Sequence, residues 1–265
     1  MKIIFTNLIF SLLFLTFLFE PARGEISVGF GPEYFLWREF NTNGSQALDE
    51  SGFRGTLNLN VEENRNQDFL FAYAGKLYFG TVLYNGQTLF PPYQPVNTDT
   101  SYIGFQNEGK LVFRQPMKNQ FSLDLVTSLG WDHWTRNIDP GHSNQLEKYD
   151  IVFLKFGPLF SHLNENKPWI GFGLKFPVLT FEDAHINSLG FDQNPILHPG
   201  GQVSFFFNIG YSITTHWELQ FYYDSYRFSE SPKENVTSSV VSSGQVFQPQ
   251  SDMDLFGALA MFRFP

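Results

Sequence analysis

Residues Glu182-Asp183-Ala184-His185 put two carboxylates within three positions of an imidazole. An aspartate that holds an imidazole can prepare it as a general base for an attacking water. Asp132 and His133 are adjacent, but neighbouring strand residues point to opposite faces and cannot readily pair. Ser161 and His162 offer a second hydrolytic pairing, but they fall at a short turn. The six histidines are otherwise scattered, with no HExxH, no GxSxG and no glycine loop built to cradle a phosphate. There is no cysteine, so neither a disulfide framework nor a thiolate metal site is available. No cofactor and no metal are expected. A formal net charge of −9 argues against a nucleic-acid partner.

The elements that carry these residues alternate with period two. Phe53, Gly55, Leu57, Leu59 and Val61 oppose Arg54, Thr56, Asn58, Asn60 and Glu62. Phe69, Phe71, Tyr73, Gly75, Leu77 and Phe79 oppose a face with Lys76 and Tyr78. The same pattern returns in 101–114, 121–134, 203–212 and 217–224, with weaker versions in 26–40, 149–161, 169–180 and 253–264. The sixth strand in chain order, YDIVFLKFGPLF, is apolar on both faces, so its orientation stays open. Ten strands result. Aromatic content is 18%, with 32 Phe, while mean hydropathy is slightly polar; both hold together if apolar side chains occupy one face only.

The connections alternate in length. Long ones fall near 41–50, 81–100, 135–148, 181–200 and 229–250, short ones near 63–68, 115–120, 162–168 and 213–216. Ahead of the first strand, Lys2, an apolar run from Ile3 to Phe19 and the small residues of Pro21-Ala22-Arg23-Gly24 form a secretory signal peptide, residues 1–24, expected to be cleaved after Gly24. Residues 25–265 are then one all-β domain. Its fold class is predicted as a ten-stranded antiparallel up-and-down transmembrane β-barrel, with short turns on the periplasmic side.

Alternation does not say which face meets lipid. Trp37, Trp131 and Trp134 lie at the long-loop ends of their strands, and Trp169 and Trp217 at the short-turn ends. All five are expected to form two interfacial aromatic girdles. The other face carries Arg54, Lys76, Glu108, Lys110, Arg114, Asp124, Glu218 and Asp224. A Lys or Arg facing the lipid midplane would cost roughly 2–4 kcal/mol, so these charges must point inward. Their mixed signs predict a network of ion pairs in a narrow or plugged lumen.

The leader, the ten strands and the alternating loops resemble a small Gram-negative outer-membrane β-barrel protein. The terminal row Phe256, Ala258, Ala260, Phe262 and Phe264 is similar to the carboxyl-terminal signal read by the barrel-assembly machinery of such bacteria, although here Pro265 follows the last aromatic. The resemblance implies location in the bacterial outer membrane, contact with its lipids and lipopolysaccharide, and surface loops free to meet a ligand, with 81–100 and 229–250 the candidates. It also brings Asp183 and His185 into view, because ten-stranded outer-membrane proteases of the omptin type carry an Asp-x-His pair on the corresponding loop, opposite an acidic pair. Here the facing loop offers only Asp99, and no enzymatic activity is expected. The expected function is structural or in surface recognition; the alternatives are a narrow pore for small solutes or ions and an omptin-like protease.

Overall fold

A computed structural model describes residues 24–63, 68–87, 94–117, 120–139, 145–162, 168–238 and 244–264. The expected signal peptide, apart from Gly24, and Pro265 lie outside the described residues. Strands β1 (Glu25–Phe40), β2 (Gln46–Glu62), β3 (Phe69–Gln87), β4 (Pro95–Pro116), β5 (Phe121–Ile138), β6 (Gln145–His162) and β7 (Pro168–His185) follow one another. After them come β8 (Ile196–Leu197), β9 (Ser204–Ser212), β10 (Trp217–Phe228), the hairpin β11 (Glu234–Val236) and β12 (Gly244–Val246), and β13 (Gln250–Phe264). Each long strand pairs antiparallel with its neighbours in sequence, β7 pairs with β9, and β10 pairs with β13. The ring closes where β1 meets β13, from Ile26 opposite Phe264 to Phe40 opposite Gln250. This is a ten-stranded up-and-down barrel, and closure leaves no unpaired sheet edge along its wall.

Side chains leave the two faces of each strand alternately, so every long strand has an outer and an inner row. The outer rows are apolar: Phe30, Phe53, Phe79, Ile103, Leu129, Phe156, Phe205, Phe221 and Phe256 are each exposed. So large an apolar belt, wrapping a closed sheet whose inside is polar, is what lipid requires and water forbids. The terminal row meets this belt, with Phe256 and Phe264 about half exposed. On β6 the ambiguity resolves with Tyr149, Ile151, Phe153 and Lys155 inside and Val152, Leu154 and Phe156 outside.

The expected loop at 81–100 is mostly sheet. β3 runs to Gln87 and β4 begins at Pro95, and they stay paired to the Gln87–Pro95 rung. Above the apolar belt both faces of a strand meet water or polar loops, so the alternation disappears although the hydrogen-bonded ladder continues. The connection 229–250 does hold the small hairpin β11–β12. With the 3-10 turn Ile186–Leu189 and β8, that hairpin forms a second apolar cluster of Ala184, Ile186, Phe191, Leu197, Val236 and Val246 over the long-loop mouth.

One irregularity decides where the histidine of β7 points. Lys175 pairs with Lys155 and Pro177 with Phe153, but Leu179 pairs with Val152, so β7 carries one extra residue. A bulge of this kind shifts every later side chain to the other face. Below it Lys175 and Pro177 face the lumen; above it Thr180, Glu182 and Ala184 do, and Asp183 and His185 are turned outward.

Candidate functional site

The inner rows meet in a lumen built in three levels. At the short-turn end, Arg114 grips Asp124 through Nε (3.1 Å) and Nη2 (2.8 Å). Arg263 pairs with Glu218 and with Glu25 (3.1 Å), and Trp169 Nε1 donates to Glu218 Oε1 (3.0 Å). A cavity of about 310 Å³ occupies this end of the lumen.

At mid-height the charges interlock. Glu33 receives Arg54, Lys76 Nζ (2.9 Å) and the Tyr222 hydroxyl (2.7 Å). Lys155 bridges Glu108 (3.1 Å) and Asp224 (3.4 Å), Lys175 reaches Asp224 at 2.8 Å, and Lys110 lies 3.9 Å from Glu108. Asp132 accepts hydrogen bonds from Tyr78 (2.7 Å), Tyr226 (2.7 Å) and Gln106 (3.1 Å). Thus Arg54, Lys76, Glu108, Lys110, Arg114, Asp124, Glu218 and Asp224 all sit on the inner face, each within reach of an opposite charge. Buried pairs of this kind add little net stability, but removing one partner costs roughly 3–5 kcal/mol because the other is left buried and alone.

Above the ion pairs the lumen is filled by rings. Phe35, Trp37, Tyr102, Trp134, Tyr149, Phe153, Tyr226 and Phe228 are almost wholly buried in one cluster. Trp134 stacks on Tyr149 (centroids 4.9 Å apart, 16° between planes), and Tyr226 on Phe228 (5.8 Å, 9°). Cations seal the lower surface of the cluster, with Arg54 over Phe35 at 4.3 Å and Lys175 Nζ over Tyr226 at 3.2 Å. The upper surface is Arg136, which binds Glu50 (2.6 Å), Glu147 (2.7 Å) and Glu39 (3.3 Å). Glu50 also accepts from Tyr102 and Thr100, and Glu39 from Trp37 (2.9 Å) and Gln248 (3.3 Å). Gln248 belongs to the connection before β13, so the loop cover is tied to the barrel wall.

Three of the five tryptophans are therefore not girdle residues. Trp37 and Trp134 point inward and are 0% and 1% exposed, because a closed ring of ten strands leaves a space that only large rings fill at that level. Trp169 also faces the lumen, held by Glu218. Trp131 and Trp217 are outside, Trp131 donating to Asp150 (3.0 Å) at the long-loop end and Trp217 44% exposed beside Phe262 at the short-turn end.

Asp183 Oδ2 and His185 Nε2 do pair, at 2.9 Å, but on the outer face, with Lys148 opposite Asp183 on β6. Asp99 is on a different strand pair, opposite Leu83, and not across a cleft from them. His133 makes a similar outward pair with Asp150 (2.9 Å). Ser161 bonds Ser122 (2.7 Å), and the His162 ring packs on Phe121. Among the described residues no group of three or more His, Asp or Glu side chains is placed to hold a metal ion.

Sequence reasoning missed Glu33, Glu39, Glu50, Glu147, Arg136 and Lys155. Glu33, Phe35, Trp37 and Glu39 do alternate along β1, but their row mixes carboxylates with rings and reads as neither polar nor apolar.

No protein-family model matches the chain, and no curated protein matches it in sequence. Among solved structures it is similar to the outer membrane protease OmpT of Escherichia coli, with a TM-score of 0.51 and 10% identity over 91% of this chain and 94% of that one. It is also matched to an outer membrane channel of Pseudomonas putida F1 (TM-score 0.45, 10% identity, 93% and 97% covered). A third is Ail, the attachment invasion locus protein of Yersinia pestis (TM-score 0.33, 11% identity, 91% and 99% covered). At these identities the likeness to the protease is one of fold, and with the belt and the inward charges it makes the chain an integral outer-membrane β-barrel of Gram-negative type.

Proposed function

We propose that this barrel is a closed scaffold that holds its long-loop side at the cell surface for structural or recognition purposes. The observation that carries the reading is the filled upper lumen. A conducting path would have to pass the stacked Trp134–Tyr149 pair and the Arg136 cluster with its three bound glutamates. Barrels of about this strand number have interiors that side chains can fill, and clear channels belong to larger ones. The loop cover supports the same reading, because β11–β12 and the 186–197 segment share an apolar core and present their outer sides as a formed surface.

Outer-membrane lipids and lipopolysaccharide are the surroundings this reading requires. The outward row Phe256, Phe262 and Phe264 supports presentation of β13 to the barrel-assembly machinery. A proteolytic role draws support from the Asp183–His185 hydrogen bond alone, and the outward direction of that pair weighs against it.

The test is conductance across a planar lipid bilayer holding the folded protein, with insertion confirmed by protease resistance of the strands. Silence from inserted protein is the expected result. Discrete conductance steps from the unmodified protein would sink the closed-scaffold reading in favour of a narrow pore.

A further inference from the structure

The short-turn end of the lumen has no part in closing the barrel, yet it is a shaped and furnished cavity. Its volume of about 310 Å³ sits at the lower edge of the range for small-molecule sites, roughly 300–1,000 Å³. The aromatic cluster stops it above, and its lining runs from the strand ends beside the short turns up to the mid-height ion pairs, so on the layout of outer-membrane barrels it opens toward the periplasm. We propose that this cup is a binding site for a small uncharged sugar, entering from the periplasmic side.

Its charges narrow the ligand class. Five cations and six carboxylates line the cavity, and most are held in pairs with one another, Arg114–Asp124, Lys155–Glu108, Lys155–Asp224, Arg263–Glu218 and Arg263–Glu25 among them, while Lys76 is held by Glu33 outside the lining. A charged ligand would have to break such a pair and leave its partner stranded, a costly exchange. A hydroxyl-rich neutral ligand breaks nothing. An ion-paired carboxylate keeps lone pairs free, and hydrogen bonds to charged groups are the stronger kind.

The remaining lining has the two features a sugar ring uses. Asn60 and Asn208 line the cavity from opposite walls, their side chains partly exposed to it and making no side-chain hydrogen bond among the described residues. Each amide offers a donor and an acceptor side by side, which matches neighbouring hydroxyls. Trp169 and Tyr222 supply flat apolar surfaces, both pinned at their polar edges, Trp169 to Glu218 and Tyr222 to Glu33. Each ring lies across a glycine of the next strand, Trp169 over Gly210 and Tyr222 over Gly257, where a Cβ would collide with it. The strands thus give up side chains to let two rings lie flat beside a polar cup.

The experiment is isothermal titration of the folded barrel in a zwitterionic detergent without a sugar headgroup, since a maltoside would itself compete. The probes are glucose and N-acetylglucosamine, with glucose 6-phosphate and glucosamine as charged counterparts. The expected result is millimolar binding of the neutral sugars, with the charged counterparts about tenfold weaker. Trp169→Ala and Asn208→Leu should each weaken binding about tenfold, with Asn60→Leu as a further variant should either fail to fold, folding being read from strand circular dichroism and gel mobility of unheated protein. Absence of heat from every sugar would overturn the proposal. So would preference for the phosphate, or sugar binding unchanged in all folded variants. None of these outcomes bears on conductance, so this site and the closed-scaffold reading stand or fall separately.

Discussion

Arg136 is the residue on which most of the upper lumen turns. It holds Glu39, Glu50 and Glu147, each on a different strand. Arg136→Ala leaves three buried carboxylates facing one another, and the expected cost is about 3–5 kcal/mol of stability. Urea unfolding in micelles, followed by tryptophan fluorescence, measures it. Glu182 is the converse case. It is buried against Glu147 and Glu39, and its Oε2 has no hydrogen-bond partner among the described residues. Glu182→Gln removes a surplus acid and supplies an amide donor, so it should raise stability by about 1 kcal/mol, read as a higher urea midpoint; a lower midpoint would mean that Glu182 is a needed partner. The inward charges were legible as a class, because lipid cannot accept them. Their partners were not, since pairs such as Lys76 with Glu33 join strands that are not adjacent in sequence.

At the level of strands, alternation located all ten and failed in two instructive ways. It lost the upper parts of β3 and β4, where pairing continues after the lipid contrast ends. It also ended the seventh strand at 180 and gave 181–200 to a loop, whereas β7 runs on to His185 past the extra residue above Pro177 that exchanges the faces. The Asp-x-His spacing was visible, and the direction in which it points was not. Because the chain has no cysteine, the direction is open to a clean test. Cysteines introduced singly at Asp183 and His185 should react with a membrane-impermeant maleimide on intact cells, and one at Glu182 should not. Reaction at Glu182 with protection at the other two would mean that the bulge is absent in the membrane. Asp183→Ala and His185→Ala should leave the fold intact, as each lies on the outer face.

At the scale of the whole molecule, the tryptophans were misread because strand ends are where interfacial rings collect and also where this barrel is plugged. Position along a strand does not separate the two; parity does, and Trp37, Glu39 and Phe35 share theirs with Glu33. The plug makes a prediction of its own. Trp134→Ala with Tyr149→Ala removes the stacked pair, each truncation costing about 3–5 kcal/mol, and small conductance steps should appear in the inserted variant. Continued silence from a variant shown to be inserted would locate the closure at the Arg136 level or in the loop cover.

The seam between β1 and β13 joins the first and last strands of the barrel, residue 26 beside residue 264. Every other long-strand pairing joins neighbours along the chain and so encloses a shorter loop. The seam has the largest entropy of closure, and its contacts are rewarded only when the rest of the sheet is in place. Pro32, which has no amide hydrogen to give, and Gly31 interrupt its run of paired residues at mid-wall. Folding should therefore end with a slow cyclisation, and a barrel that has zipped shut should be lost by the reverse of that step. Its lifetime in the membrane would then be set by how seldom one seam opens.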